Sequence, residues 1–326
     1  MTDSETNSQF SVAPDPAAQP SQFNPPSDSL RRIFLGPEGL RPGWGLLLYV
    51  VLFRLMITVA QVLLRPMMHR LTHTLWHDFL QNVVVAACIV LPAVIMSRIE
   101  KRPFGDYGLP KRGAFGKNFA WGLVWGVAAL SLLLVTLRGL HAFYFGSLAV
   151  HGARAVKFAL FWALFFFLVS VMEEFLLRGY AQFTLARGIG FWPAATVLSI
   201  LFAGLHLNNP GESALGILSV VAIALFFCFT LLRTGTLWFA LGLHASWDWA
   251  QSYFYGVPDS GGMSPGHLLN SSFQGPAWLS GGTVGPEGSV LIFAVIALMF
   301  VVFHFAFPEQ NTSLLSASVM FERPHD

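Results

Sequence analysis

The sequence predicts an all-α fold, a multi-pass transmembrane helical bundle of about eight spans. Three observations predict it. Of 326 residues, 54% are apolar and only 11% charged, whereas an average soluble domain carries about 25% charged residues. Mostly apolar stretches of about twenty residues, the length a helix needs to cross a bilayer, recur along the chain. Basic residues gather in alternate loops, as membrane orientation requires. The balance of 19 Lys+Arg against 17 Asp+Glu, a net charge of +2, is too even for a nucleic-acid binder. Cys88 and Cys228 both lie in apolar runs and read as small buried side chains, not as a disulfide or a zinc cluster.

Residues 1–30 are rich in Ser, Pro, Gln and Asn and read as a solvated tail. No basic n-region precedes an apolar core there, so no signal peptide is expected. The basic segment 31–44 (RRIFLGPEGLRPGW) is expected to rest on the membrane surface. Residues 1–40 therefore form a disordered or interfacial cytoplasmic tail, 41–310 the transmembrane domain, and 311–326 a short cytoplasmic tail. The predicted spans are 44–64, 79–97, 118–138, 158–186, 191–208, 213–232, 235–254 and 289–307. With this count Arg31, Arg32 and Arg41, the cluster Arg98, Lys101, Arg102, Lys111, Arg112 and Lys117, then Arg187 and Arg233 all fall on one side. That places both termini in the cytoplasm of a cell-membrane protein, against fewer basic residues in the opposite loops (Arg65, Arg70, Arg138, Arg154, Lys157). The longest outer loop, about 255–288, is rich in Gly, Ser and Pro. It reads either as an ordinary irregular loop or as the cover of a cavity mouth.

Ionisable side chains at the centre of a span cost roughly 2.5–3.5 kcal/mol each, so those present call for a cavity, a partner or chemistry. Span 158–186 carries Glu173-Glu174-Phe175-Leu176-Leu177-Arg178 after the run FALFWALFFFLVSVM. Glu174 and Arg178 are i,i+4 neighbours able to pair. Glu173 points about 100° away with no partner on its own helix, as suits a general base. Span 191–208 carries Phe202 and His206 on one face. Its imidazole could hold or deprotonate a water. Span 235–254 carries His244 and Asp248, again i,i+4, suited to metal ligation or to stabilising an oxyanion. For each cluster the plainer alternative is packing: a Glu–Arg clasp, an interfacial histidine, a His–Asp pair locking two helices.

Together these six residues would place four charged groups in lipid, at about 10 kcal/mol on the insertion scale. A single internal polar site explains them better. Depth is the difficulty, because Glu173 and His244 fall near mid-span whereas His206 lies about 15 residues beyond Phe191.

The three clusters, in this order, resemble the CAAX protease and bacteriocin-processing (CPBP) family of intramembrane proteases, close to type II CAAX prenyl endopeptidases. That pattern is Glu-Glu-x-x-x-Arg, Phe-x-x-x-His and His-x-x-x-Asn/Asp, here Glu173-Glu174-x-x-x-Arg178, Phe202-x-x-x-His206 and His244-x-x-x-Asp248. The resemblance implies hydrolysis of a peptide bond in a membrane-bound or lipidated protein. It implies that Glu173 and His206 activate water, that His244 and Asp248 bind the oxyanion or a metal, and that Glu174 and Arg178 support them. Prenyl endopeptidases of the family carry Asn at the last position. An ionised Asp248 cannot donate to an oxyanion, so it must be protonated, orient His244 or ligate a metal. Glu173, His206, His244 and Asp248 could hold a divalent metal such as zinc, and a glutamate-dependent mechanism without metal fits the same residues.

No His-Glu-x-x-His is present. Ser246 faces about 200° from His244, so no Ser–His dyad is expected within that motif. The competing function is a non-catalytic membrane immunity or assembly factor whose polar cluster binds a partner protein. A transporter is disfavoured by the lack of inverted repeats. Arg54, deep in the first span, reads either as a partner for an acidic group in the cavity or as a residue reaching water on its own. Trp247 and Trp249 read as packing aromatics.

Overall fold

The computed structural model describes residues 33–36, 39–72 and 74–308. Most of the expected N-terminal tail and all of 311–326 lie outside them. Nine helices carry the described chain: α1 Pro42–Leu71, α2 Leu75–Ile99, α3 Lys117–Gly139, α4 Gly152–Arg178, α5 Tyr180–Ile189, α6 Phe191–His206, α7 Ala214–Thr234, α8 Trp238–Asp248 and α9 Leu291–Ala306. A π-helical segment, Trp249–Tyr255, continues α8. Strands are confined to two-residue antiparallel ladders, Leu35–Gly36 with Gly39–Leu40 and Phe143–Tyr144 with Ser272–Phe273.

Every predicted span falls on a helix, but eight full-length spans are not reached. Five stretches are long and apolar enough to cross a membrane: α1, α2, α3, Gly152–Ile189 and α7. The chain is thus an integral multi-pass membrane protein. Both α6 and α9 have 16 residues, a rise of about 24 Å against a hydrocarbon core of about 30 Å. α8 has 11 residues before the π segment. The predicted span 158–186 is broken, because Gly179 leaves helical geometry at φ −81°, ψ −128°. A Cβ there would run into the Phe175 carbonyl and ring.

Helix ends follow local chemistry. Pro42 opens α1, and the hydroxyls of Thr74 and Ser213 cap α2 and α7 by accepting from the amides of His77 and Gly216. Gly235 closes α7 in the left-handed conformation.

α8 is the buried axis of the bundle, and its backbone lies directly on α3. A Cβ on Gly122 would meet the Phe239 carbonyl and Gly242, one on Gly242 would meet the Phe119 carbonyl, and one on Gly126 would meet the Leu243 carbonyl. Spaced four apart, Gly122 and Gly126 form the small-residue stripe that lets membrane helices approach closely. Around this contact, Leu130, Leu133, Phe226, Phe239, Leu243 and Phe303 pack one apolar core. A second core joins Tyr49, Ile89, Met96, Phe175, Tyr180 and Leu241. At its edge the buried Glu100 carboxylate accepts from Tyr180 (2.6 Å), Tyr107 (3.1 Å) and Arg187 (3.0 Å), tying the end of α2 to α5.

The long loop before α9 is held down at several points. It pairs with the 143–148 segment, and the carbonyl of Pro265 accepts from the Trp162 indole at 3.1 Å. The π segment is anchored on α4 by Trp249 Nε1 to the Ala159 carbonyl (3.0 Å) and by the Tyr253 hydroxyl to the Ala155 carbonyl (2.7 Å).

Candidate active site

A cavity of about 730 Å³ opens between α2, α4, α6, α7, α8 and the long loop. It is lined by Glu173, His206, His244 and Asp248, four of the six residues singled out by their cost in lipid. The other two, Glu174 and Arg178, stand immediately behind it, fully buried.

The last two turns of α4 present both glutamates. Glu174 Oε1 accepts from Arg178 Nη1 at 3.3 Å on its own helix and from His244 Nδ1 at 3.0 Å across the bundle. A carboxylate only accepts when ionised, so His244 Nδ1 carries the hydrogen. Its other nitrogen, Nε2, lies 3.3 Å from Asp248 Oδ2 and 3.8 Å from Glu173 Oε2. The ring stacks on Phe227 at 5.6 Å. His244 is thus held on three sides, by Glu174, Asp248 and Phe227.

Arg178 joins three helices. Its guanidinium lies over the ring of Phe202 at 4.7 Å and near that of Phe227 at 5.6 Å, close enough for cation–π attraction. Phe202 in turn packs edge-on against His206 at 4.5 Å. His206 Nδ1 lies 2.9 Å from the Phe202 carbonyl. A carbonyl only accepts, so Nδ1 is the donor, which in the neutral ring leaves the lone pair on Nε2. Through Phe202 and Arg178, His206 reaches the cavity that Glu173 lines. α6 ends at His206, level with the last turns of α4.

The structure adds residues that the motifs did not mark. Asp78, Ser252, Asp259, Ser260 and Glu287 also line the cavity, as does Trp247, which packs in the first apolar core. Asp259 Oδ2 accepts from Ser252 at 2.8 Å and Glu287 Oε2 from the Ser260 amide at 3.2 Å. Burial first, and the charge of Asp248 second, raise Asp259 well above the usual carboxylate range and push Glu287 up to about 7. Arg54 is exposed and outside the cavity lining, so its pairing with a cavity carboxylate is not seen. The string Gly262-Met263-Ser264-Pro265-Gly266 spells Gly-x-Ser-x-Gly. It lies in the loop, without the strand and helix of a nucleophile elbow. The nearby His267 directs Nδ1 at the Ser264 carbonyl and Nε2 at Asn270, which leaves neither nitrogen for the serine hydroxyl.

Among the described residues, no group of three His, Cys, Asp or Glu side chains is arranged to hold a metal ion. Glu173, His206, His244 and Asp248 are thus not shown as a zinc site.

The family model of type II CAAX prenyl endopeptidases, Rce1-like, matches residues 155–250. This segment is an Rce1-like domain. It runs from the first turn of α4 to the start of the π segment and contains all six motif residues. The Rce1-like domain leaves Asp78, Asp259 and Glu287 outside its bounds, although all three line its cavity. No curated protein and no solved structure matches the chain.

Proposed function

We propose that the protein is an intramembrane endopeptidase that hydrolyses a peptide bond in a membrane-bound or lipidated protein with water activated by Glu173 and His206. The observation that carries this reading is one cavity, inside an Rce1-like domain, that gathers Glu173, His206, His244 and Asp248 beside a buried Glu174–Arg178 pair.

The chemistry follows from the hydrogen-bond roles. A water in the cavity gives its proton to Glu173, while the His206 Nε2 lone pair helps to orient it. The hydroxide adds to the scissile carbonyl carbon, and the carbonyl oxygen takes the electron pair. His244, its Nδ1–H given to Glu174, in its charged form turns Nε2–H from Asp248 Oδ2, 3.3 Å away before substrate binds, to that oxyanion. Collapse breaks the C–N bond, and the proton on Glu173 passes to the leaving amine. Glu174 and Arg178 are positioning residues, acting through His244 and Phe202.

The test is cleavage of membrane-inserted and prenylated peptides by the purified full-length chain, wild type against Glu173→Gln and His206→Ala. Each variant is first checked for unchanged thermal unfolding. Glu173→Gln should lower the rate by about 10²–10⁴-fold, the usual contribution of a general base. Cleavage that survives this change overturns the mechanism. Tight retention of a partner protein without cleavage would instead favour an immunity or assembly factor.

A further inference from the structure

A second groove, about 710 Å³, lies between α1 and α2. Its walls grade from apolar to polar along both helices. On α1, Gln61, Arg65 and His69 follow one another at intervals of four, so they share one face. On α2, His77 and Gln81 repeat that spacing on the facing wall. Ile57, Leu64, Val84 and Val85 line the apolar part.

Depth gives this polar end its meaning. α1 has 30 residues, about 45 Å, more than the roughly 30 Å of a hydrocarbon core. Twenty residues counted from the interfacial Trp44 end near Leu64, which puts Arg65 and His69 at headgroup level on the far side. Only 6% of the apolar window of α1 is buried in the protein, so lipid surrounds the groove. Arg65 is exposed, and no carboxylate lines the groove to neutralise it.

We propose that the α1–α2 groove binds one anionic phospholipid, with an acyl chain along its apolar walls and the phosphate against Arg65, Gln61 and Gln81. An arginine presents paired N–H donors that match phosphate oxygens, and the flanking amides add neutral donors. The site abuts the catalytic cavity. His77 Nδ1 lies 2.9 Å from the carboxylate of Asp78, and Asp78 lines that cavity.

The experiment is native mass spectrometry of the full-length protein in detergent, titrated with short-chain phosphatidylglycerol or phosphatidylcholine. Wild type should retain the anionic lipid about tenfold better, and Arg65→Ala should remove that preference, in line with the loss of one hydrogen-bonded charge. Arg70→Ala, at an exposed neighbour outside the groove, should leave it intact. Equal retention of the two lipids, or equal loss in both variants, overturns the site in favour of diffuse surface charge. Displacement of the lipid by an equal concentration of inorganic phosphate would overturn the role of the acyl groove.

Discussion

Glu174 has no solvent to fall back on. It is fully buried, and its Oε1 serves both Arg178 and His244. Removing one member of such a pair leaves an uncompensated charge, whereas removing both can be nearly neutral. Arg178→Met should therefore lower the unfolding free energy by about 3–5 kcal/mol, and Glu174→Leu combined with Arg178→Met by clearly less. Reversible unfolding in mixed micelles measures both; a neutral Arg178→Met would show the clasp to be idle. Glu287 has the opposite balance. Its carboxyl titrates near 7 when folded, against 4.5 as its ordinary value. Between those values the folded state holds a proton that the unfolded chain has released, so stability falls as pH rises through the window. Glu287→Gln should flatten that fall and raise the melting temperature above pH 7, as thermal scans from pH 4 to 8 would record. The six motif residues were legible because charged groups and imidazoles stand out in apolar runs. Asp259 and Glu287 were not, because an acidic residue in a polar loop is ordinary until the fold brings it over a cavity.

Among the helices, the contact between α3 and α8 places His244. Gly122, Gly126 and Gly242 each face backbone atoms across it, so even a methyl group forces the helices apart. Gly122→Ala and Gly242→Ala should each destabilise by about 1–3 kcal/mol and depress cleavage by displacing His244. Gly139→Ala, at the end of the same α3 where a Cβ would meet nothing, is the control and should be silent in both assays. The glycine spacing was visible in the sequence, but which helix answered it was not, since that partner lies more than a hundred residues away. The break at Gly179 was hidden for a related reason. The apolar run continues through it, and hydropathy carries no record of a ψ angle. Nor does periodicity reveal the π segment, in which one wider turn re-aims Ser252 and Tyr253 without changing residue type.

For the molecule as a whole, helix positions could be read from hydropathy, whereas the length of each crossing could not. α6 and α9 are as apolar as the full-length spans but are shorter than the bilayer, and both pack against α7. Orientation is a separate matter, and from the basic loops we propose that both termini face the cytoplasm. Lys111→Cys and Trp278→Cys, both at exposed positions, should then react with an impermeant thiol reagent from opposite faces of oriented vesicles. Cys88 and Cys228 are buried and should give little background. Labelling of both sites from one face would overturn the arrangement.

The arginine sandwiched between Phe202 and Phe227 has a consequence for how this protein can vary. A continuous chain of contacts runs from Phe202 through Arg178 and Glu174 to His244. Residues in contact do not change independently, because the effect of one substitution depends on its neighbours. Substitutions within the three short motifs on separate helices should therefore be energetically coupled. A lineage that gives up the phenylalanine loosens the grip on the distant histidine, and further drift at any of the four positions then meets less resistance.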